Sequence, residues 1–170
     1  MMDVFLRDVT RGTTERVSVA FDGTQGNATS AYPSMSAEGS VVAFASVADN
    51  LATGDSNGVW DVFVWGAATR TTTLVSRAIG GGTANASSYD PAVSANGRFV
   101  AYTSGGGNIA SGDANPAADI FVFDRQTGET SIASLTSDGG SADGFSKLPA
   151  LSADGRFVAF YSIASNLVPA

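Results

Sequence analysis

The sequence predicts an all-β fold, a β-propeller made of four-stranded antiparallel blades. The first observation is an internal repeat: residues 3–5, 61–63 and 119–121 read Asp-Val-Phe, Asp-Val-Phe and Asp-Ile-Phe at intervals of 58 residues. The second is composition, since 44% of the 170 residues are hydrophobic, 15% are charged and 20 are glycine. Such a mixture is typical of a folded protein with many turns. The third is a hairpin signal, Asn-Gly or Asp-Gly, in two of the three copies.

The repeat keeps its register along the whole chain, without insertion or deletion. A proline, a serine, a glycine and an asparagine recur at the same interval, at Pro33, Pro91 and Pro149, Ser36, Ser94 and Ser152, Gly39, Gly97 and Gly155, and Asn50, Asn108 and Asn166. A unit of this length with four strands lies in the propeller range, whereas helical solenoid units need a hydrophobic period of 3.6 residues. We therefore interpret 1–170 as one half-propeller domain of three repeat units.

Four strands are predicted in each unit. The first follows the recurring proline, and the turns Asn96-Gly97 and Asp154-Gly155 lead into the second, because such dipeptides are strong hairpin signals. The third begins at the recurring aspartate, and a short turn joins it to the fourth. The two middle strands are apolar on both faces, as expected for a sheet packed between two others. The predicted strand pairs are 3–19, 33–47, 61–77, 91–105, 119–135 and 149–163.

These residues resemble a known family. The segments Pro-Ala-Val-Ser-Ala-Asn-Gly-Arg-Phe-Val-Ala-Tyr at 91–102 and Pro-Ala-Leu-Ser-Ala-Asp-Gly-Arg-Phe-Val-Ala-Phe at 149–160, with Asp-Ile-Phe-Val-Phe-Asp at 119–124, are similar to the WD-like repeat of bacterial TolB-type propellers. The resemblance implies a scaffold for protein contacts in the bacterial envelope, so the parent protein would be periplasmic or extracellular. The first copy departs most, with Glu38 and Ser40 at the turn, and no TolB-type N-terminal domain is evident.

The phase of the repeat predicts a divided blade. The chain opens with a third and fourth strand at 3–19 and closes with a first and second strand at 149–163. Known propellers close with roughly four to eight blades. We therefore expect a six-bladed homodimer, in which 3–19 of one copy pairs with 149–163 of the partner. A larger closed ring and a distorted monomer are the alternatives.

Charge and hydropathy exclude several classes of partner. The net charge is −7 and Lys147 is the only lysine, whereas nucleic-acid binding needs clustered basic side chains. No apolar run approaches the roughly 20 residues of a membrane helix, and the first five residues lack the features of a signal peptide. We expect no nucleic-acid partner and no membrane association.

The acidic residues are expected to concentrate on one rim. The long connections, about 20–32, 48–60, 78–90, 106–118 and 136–148, fall on one side of an antiparallel meander, and long loops on a rigid scaffold often carry function. The acids assigned to this rim are Asp3, Asp22, Asp49, Asp55, Asp61, Asp90, Asp113, Asp119, Asp138 and Asp143, offset by Arg77 and Lys147. The other arginines, Arg7, Arg11, Arg16, Arg70, Arg98, Arg125 and Arg156, are assigned to the opposite rim. The long-loop rim should therefore suit a cation or a basic partner.

Two of these loops carry a candidate calcium motif. Gly54-Asp55-Ser56-Asn57 is followed by Asp61, and Gly112-Asp113-Ala114-Asn115 is followed by Asp119. Carboxylate and amide oxygens are the hard ligands that Ca²⁺ takes, so the candidate metal ligands are Asp55, Asn57, Asp61, Asp113, Asn115 and Asp119. The same pattern is typical of an Asx turn followed by an aspartate that begins a strand. The sequence leaves both interpretations open. We expect that the protein requires no cofactor, with Ca²⁺ as the one candidate ion.

The sequence favours a binding role over catalysis. It contains no histidine and no cysteine, which excludes a Ser-His-Asp or Cys-His triad built from this chain. Paired carboxylates for glycoside chemistry remain available, but the acids recur with the repeat, and recurrence favours a scaffold role. We therefore expect a non-catalytic propeller module that binds a cation, a protein or a small molecule on its acidic rim. The alternatives are a propeller hydrolase using rim carboxylates and a propeller fragment without activity of its own.

Overall fold

Twelve antiparallel strands form the computed structural model, which describes residues 1–169. In chain order they are β1 (Phe5–Asp8), β2 (Thr13–Arg16), β3 (Ser30–Met35), β4 (Val41–Ser46), β5 (Asp61–Gly66), β6 (Thr71–Leu74), β7 (Ser88–Val93), β8 (Phe99–Ser104), β9 (Asp119–Asp124), β10 (Glu129–Ile132), β11 (Ser146–Leu151) and β12 (Val158–Ser162). Strands β3–β6 form one four-stranded meander, blade A, and β7–β10 form a second, blade B. The pairs β1–β2 and β11–β12 are separate two-stranded sheets. The prediction of an all-β fold with four-stranded antiparallel sheets is confirmed.

The core lies between sheets, on both faces of the middle strands. All six residues of β4 are buried, as are the first five of β5. One apolar cluster joins β1–β2 to blade A and includes Phe44, Phe63 and Trp65, and a second joins blade A to blade B and includes Tyr102 and Phe121. Each blade therefore depends on its neighbours to bury its apolar surface.

An aromatic pair recurs at the centre of each complete blade. Phe44 of β4 lies opposite Phe63 of β5, with ring centroids 5.9 Å apart, and Tyr102 of β8 lies opposite Phe121 of β9, with centroids 5.8 Å apart. Both pairs are stacked and fully buried. Cross-strand aromatic pairs of this kind stabilise a sheet beyond the area that they bury.

The hairpin turn at Asn96-Gly97 also contacts the preceding blade. Gly97 has φ of +71°, and a Cβ at this position would lie 2.8 Å from Cγ2 of Val41. The turn therefore requires glycine at this position for two reasons, its backbone conformation and the close approach between the blades. Only the first reason was visible in the sequence.

The first strand of each unit begins earlier than predicted. Strands β3, β7 and β11 begin at Ser30, Ser88 and Ser146, three residues before the recurring proline, so the predicted boundaries 33, 91 and 149 are wrong. Each strand passes through its proline because a bulge precedes it, at a residue with positive φ: Tyr32 (55°), Asp90 (54°) and Leu148 (52°). An extra residue at a bulge lets the strand accommodate a proline that cannot donate a backbone hydrogen bond.

Among residues 1–169, the structure contains no helix with the length and apolar character needed to cross a membrane.

Replacing Phe63 by alanine should lower the free energy of unfolding by about 3–5 kcal/mol, because it removes a buried ring and leaves a cavity against Phe44. Phe21→Ala is the matched control, since Phe21 is exposed and its loss should cost less than about 0.5 kcal/mol. Urea unfolding followed by circular dichroism measures both changes. Similar stabilities for the two variants would contradict the assignment of Phe63 to the core.

Candidate functional site

The two kinds of long loop lie side by side and are joined by the recurring asparagine. The Asn50 side chain donates to the carbonyl oxygen of Gln25 (2.9 Å) and accepts from the backbone N–H of Asn27 (2.9 Å). Asn108 makes the same two contacts with Thr83 and Asn85, and Asn166 makes them with Ser141 and Asp143. These bonds connect the loop after the second strand of each unit to the loop before its first strand, so the residues on both loops share one surface.

A serine hydroxyl holds the recurring aspartate at the start of the third strand of each complete blade. Ser76 Oγ donates to Oδ1 of Asp61 (2.6 Å) and accepts from the backbone N–H of Val62 (3.0 Å). Ser134 holds Asp119 in the same way, at 2.6 Å. Asp61 and Asp119 are both buried. This geometry supports the interpretation of these acids as residues that begin a strand.

The loop before Asp61 contains an acid with an unusual environment. Burial and the nearby charge of Asp61 raise the pKa of Asp55 to about 6. Burial also raises the pKa of Asp61, against the opposing effects of the Ser76 hydroxyl and of the nearby Asn57 side-chain amide, whose Nδ2 donates to the carbonyl oxygen of Ala84. Among the described residues, Oδ2 of Asp61 is buried and has no hydrogen-bond partner. The loop therefore holds two mutually repelling carboxylates and one unsatisfied oxygen.

The equivalent loop in blade B differs at this point. Nδ2 of Asn115 donates to Oδ2 of Asp119 at 2.9 Å, whereas Nδ2 of Asn57 donates to the carbonyl oxygen of Ala84 at 3.1 Å. The pKa of Asp113 is raised by burial and by the charge of Asp119. Within residues 1–169, no three His, Cys, Asp or Glu side chains lie close enough together to hold a metal ion. Each loop thus brings two of the predicted acidic ligands together.

Arg16 does not lie where the sequence analysis placed it. Its Nε is 3.7 Å from Oδ2 of Asp3, so the assignment of Arg16 to the opposite rim is wrong. Arg16 is the last residue of β2 and pairs with Phe5 at the start of β1, which brings it beside Asp3. With Arg16 reassigned, ten acids and three basic residues belong by chain position to the long connections and the strand ends beside them, and six of each belong to the short turns and their strand ends. Assigned in this way by position in the chain, the excess acids that make up the net charge of −7 belong to the long connections and the strand ends beside them.

An aromatic cleft lies near the starts of β3, β7 and β11, the first strands of the three units. It has a volume of about 380 Å³ and is lined by Tyr32, Trp60, Tyr89, Asp90, Lys147, Leu148 and Tyr161. Tyr32 and Trp60 pack edge to face with ring centroids 5.8 Å apart. Three of the lining residues are those with positive φ before the recurring prolines, so the strand bulges project side chains of both blades and of β11 into one space.

Sequence reasoning missed this cleft, although the repeat contains a signal for it. Positions 32, 90 and 148 are equivalent but hold tyrosine, aspartate and leucine, and Trp60 corresponds to Ala118. The residues that line the cleft thus break the repeat, whereas the strand cores preserve it. A shared scaffold with divergent side chains at one location is the pattern expected of a binding site.

Two charged groups lie in the cleft. Burial raises the pKa of Asp90, and the nearby positive charge of Lys147 opposes that rise. Nζ of Lys147 also lies 5.0 Å from the centroid of the Phe145 ring, in a cation–π contact. The cleft therefore combines aromatic faces with a partly desolvated carboxylate whose basic neighbour is also held by an aromatic ring.

Comparison with known proteins identifies the fold. No protein-family model matches the chain, and no curated protein matches it. Among solved structures, TolB from Acinetobacter baumannii is similar over 96% of this chain, with 21% sequence identity and a TM-score of 0.56. A candidate TolB from Agrobacterium tumefaciens is similar over 96% of the chain, with 15% identity and a TM-score of 0.60. The chain has a TolB-like propeller fold.

The TolB-like fold is shared over only part of the larger proteins. The chain spans 32% of the Acinetobacter protein and 47% of the Agrobacterium protein. The tricorn protease contains a similar region, with 20% identity and a TM-score of 0.55 over 93% of this chain and 13% of the protease. At these identities the likeness establishes the fold, and several functions are built on that fold.

The raised pKa of Asp55 predicts a specific pH dependence. The folded state holds the proton up to about pH 6 and the unfolded state releases it near 3.8, so this group makes the protein less stable as pH rises between those values. Asp55→Asn should remove that loss, leaving the variant more stable than the wild type at pH 7.5 and similar to it at pH 3. Urea unfolding at both pH values measures this.

The matched control is Asp138→Asn, because the hydroxyl of Thr136 lowers the pKa of Asp138. That variant should gain no stability at pH 7.5. An NMR titration midpoint for Asp55 near 4 would contradict the environment described for the loop.

Proposed function

We propose that this chain is a non-catalytic propeller module that binds a basic segment of a partner protein at the aromatic cleft. The observation that carries the proposal is the cleft itself, where aromatic side chains that break the repeat surround Asp90. The acids assigned to the neighbouring long loops by their position in the chain add to this support. A surface of this kind attracts cationic ligands over a distance, and the cleft would hold them at close range.

The TolB-like fold supports a binding role more than a catalytic one. The structures from Acinetobacter and Agrobacterium are both described as TolB, and both resemble nearly the whole chain. The likeness to the tricorn protease concerns the fold alone. The sequence has no histidine or cysteine from which to build a peptidase triad.

The chemistry of the cleft favours an arginine or lysine side chain as the group that is bound. The rings of Tyr32, Trp60 and Tyr89 offer π faces to a cation. Asp90 supplies a carboxylate, and burial disfavours the charged form of that carboxylate. A bound cation would compensate Asp90 and compete with Lys147 for it. Lys147 therefore lowers the affinity of the cleft for a basic ligand. A cleft that bound any charged ligand would not show this effect.

A titration with a hexa-arginine peptide tests the proposal. Trp60 lines the cleft and is partly exposed, whereas Trp65 is fully buried, so a change in tryptophan emission reports occupancy of the cleft. We expect saturable binding that weakens as salt is raised. Asp90→Asn should raise the dissociation constant about tenfold, and Lys147→Met should lower it, because it removes the competing charge.

Asp124→Asn is the control for this titration, since Asp124 is an acid on the opposite side, where it pairs with Arg98. It should leave the dissociation constant unchanged. Equal binding of a hexa-glutamate peptide, or equal affinities for the Asp90 and Lys147 variants, would overturn the proposal.

We also propose that the loop at 54–61 holds a calcium ion. The specific support is the buried and unpartnered Oδ2 of Asp61 beside Asp55, an arrangement that a divalent cation would stabilise. Oδ1 of Asn57 lies in the same loop and accepts from the backbone N–H of Val59 (3.1 Å), so it would join the ion through its second lone pair. The loop at 112–119 has less support, because Asn115 already donates to Asp119.

Thermal unfolding with excess calcium and with chelator tests this second proposal. At free calcium 100-fold above the dissociation constant, the melting temperature should rise by about 5–11 °C, since the ion binds the folded state alone. Asp55→Asn should abolish the rise, and Asp113→Asn in the equivalent loop should preserve it. A melting temperature that is the same in calcium and in chelator would remove the calcium site.

A further inference from the structure

We propose that the aromatic cleft selects a fully N-methylated ammonium group, such as a trimethylated lysine side chain, over the unmethylated groups of lysine and arginine. The inference rests on the proposed function for the place and the charge of the ligand, and it narrows the class of group that is bound. The side chains that carry it are the rings of Tyr32, Trp60 and Tyr89 and the carboxylate of Asp90. These residues lie on or directly before strands of the two complete blades.

The rings of Tyr32 and Trp60 form a corner. Their centroids lie 5.8 Å apart and their planes are inclined at 64°. Two rings stacked in parallel would cover each other's π faces, whereas two inclined rings can present faces to one cation. Tyr89 adds a third ring from the neighbouring blade. A cation in this corner would meet aromatic surface on more than one side, which is how proteins recognise quaternary ammonium groups.

The cleft offers few acceptors to a ligand that carries N–H groups. Five of the seven residues that line it are aromatic or apolar, and Asp90 supplies the one carboxylate, beside the hydroxyl groups of the tyrosines. A lysine ammonium brings three N–H donors and an arginine guanidinium brings five. Donors that lose water without gaining an acceptor cost free energy. A trimethylammonium group has no N–H, so it would enter the cleft without leaving a donor unsatisfied.

The ammonium group that the chain itself places in the cleft lies against a ring. Nζ of Lys147 is 5.0 Å from the centroid of the Phe145 ring, and no ion pair within residues 1–169 joins Lys147 to Asp90. Burial raises the pKa of Asp90, and only the charge of Lys147 opposes that rise. The Asp90 carboxylate is therefore partly desolvated and has no direct cationic partner among the described residues. A quaternary ammonium group would compensate this charge through space, since it needs no hydrogen bond.

Two peptides of equal charge test the inference. Both carry one lysine between alanines, and in the second peptide that lysine is trimethylated. The emission of Trp60 reports occupancy, and the trimethylated peptide should bind about tenfold more tightly. In a third peptide a neutral tert-butyl group replaces the trimethylammonium group. It has the same shape without the charge, so it should bind about tenfold more weakly than the trimethylated peptide.

Two variants test the corner itself. Trp60→Leu and Tyr32→Leu each remove one aromatic wall and keep an apolar side chain, so each should abolish most of the preference for the trimethylated peptide. Calorimetry measures this preference, because the first variant lacks the reporter, and circular dichroism checks that each variant is folded. Phe21→Leu is the matched control: Phe21 is an exposed ring outside the cleft, and its replacement should leave the preference unchanged.

Equal affinities for the lysine and trimethyl-lysine peptides would overturn the inference, as would equal affinities for the trimethylated and tert-butyl peptides. Neither result is the same as a failure of the proposed function. Saturable binding of hexa-arginine with no effect of methylation would leave the binding of basic segments standing and remove the selectivity. Binding of the trimethylated peptide without binding of hexa-arginine would support the selectivity and overturn the wider proposal. Binding of none of these peptides would overturn both.

Discussion

Burial of both faces of the middle strands is the constraint on which the rest of this structure depends. Strands β4 and β5 are apolar on both sides, so a sheet from this chain can be stable only when another sheet lies against each face. The stacked pairs Phe44–Phe63 and Tyr102–Phe121 lie at the centre of this arrangement. Phe5 occupies the equivalent position in the two-stranded sheet β1–β2 and is 55% exposed.

Several polar groups that recur with the repeat have a structural role, whereas the side chains that line the aromatic cleft depart from the repeat. Asn50, Asn108 and Asn166 join neighbouring loops, and the serine–aspartate pairs begin the third strands. By contrast, the side chains of the aromatic cleft differ from blade to blade although their backbone positions are equivalent. Symmetry in the scaffold makes the divergent residues easy to identify, and the cleft is one place where several of them lie together.

Prediction succeeded where the signal lay within one repeat and failed where it depended on contacts between repeats. The strand pattern and the Asn-Gly turn are local properties, which the sequence reveals through periodicity and turn chemistry. The start of β3 was misplaced because a bulge at Tyr32, which no propensity indicates, carries the strand through Pro33. Arg16 was misplaced because the short β2 ends beside Asp3, a contact set by strand pairing rather than by spacing.

The sequence by itself determined the blade unit, its four strands and its phase, because a 58-residue repeat with doubly apolar middle strands admits few other folds. Only the tertiary structure decided which side chains meet. Tyr32, Asp90 and Lys147 come from three different sheets and converge because strand bulges turn them into one cleft. The different environments of Asp61 and Asp119 were likewise decided in space, where one neighbouring asparagine turns to a carbonyl group and the other to the carboxylate.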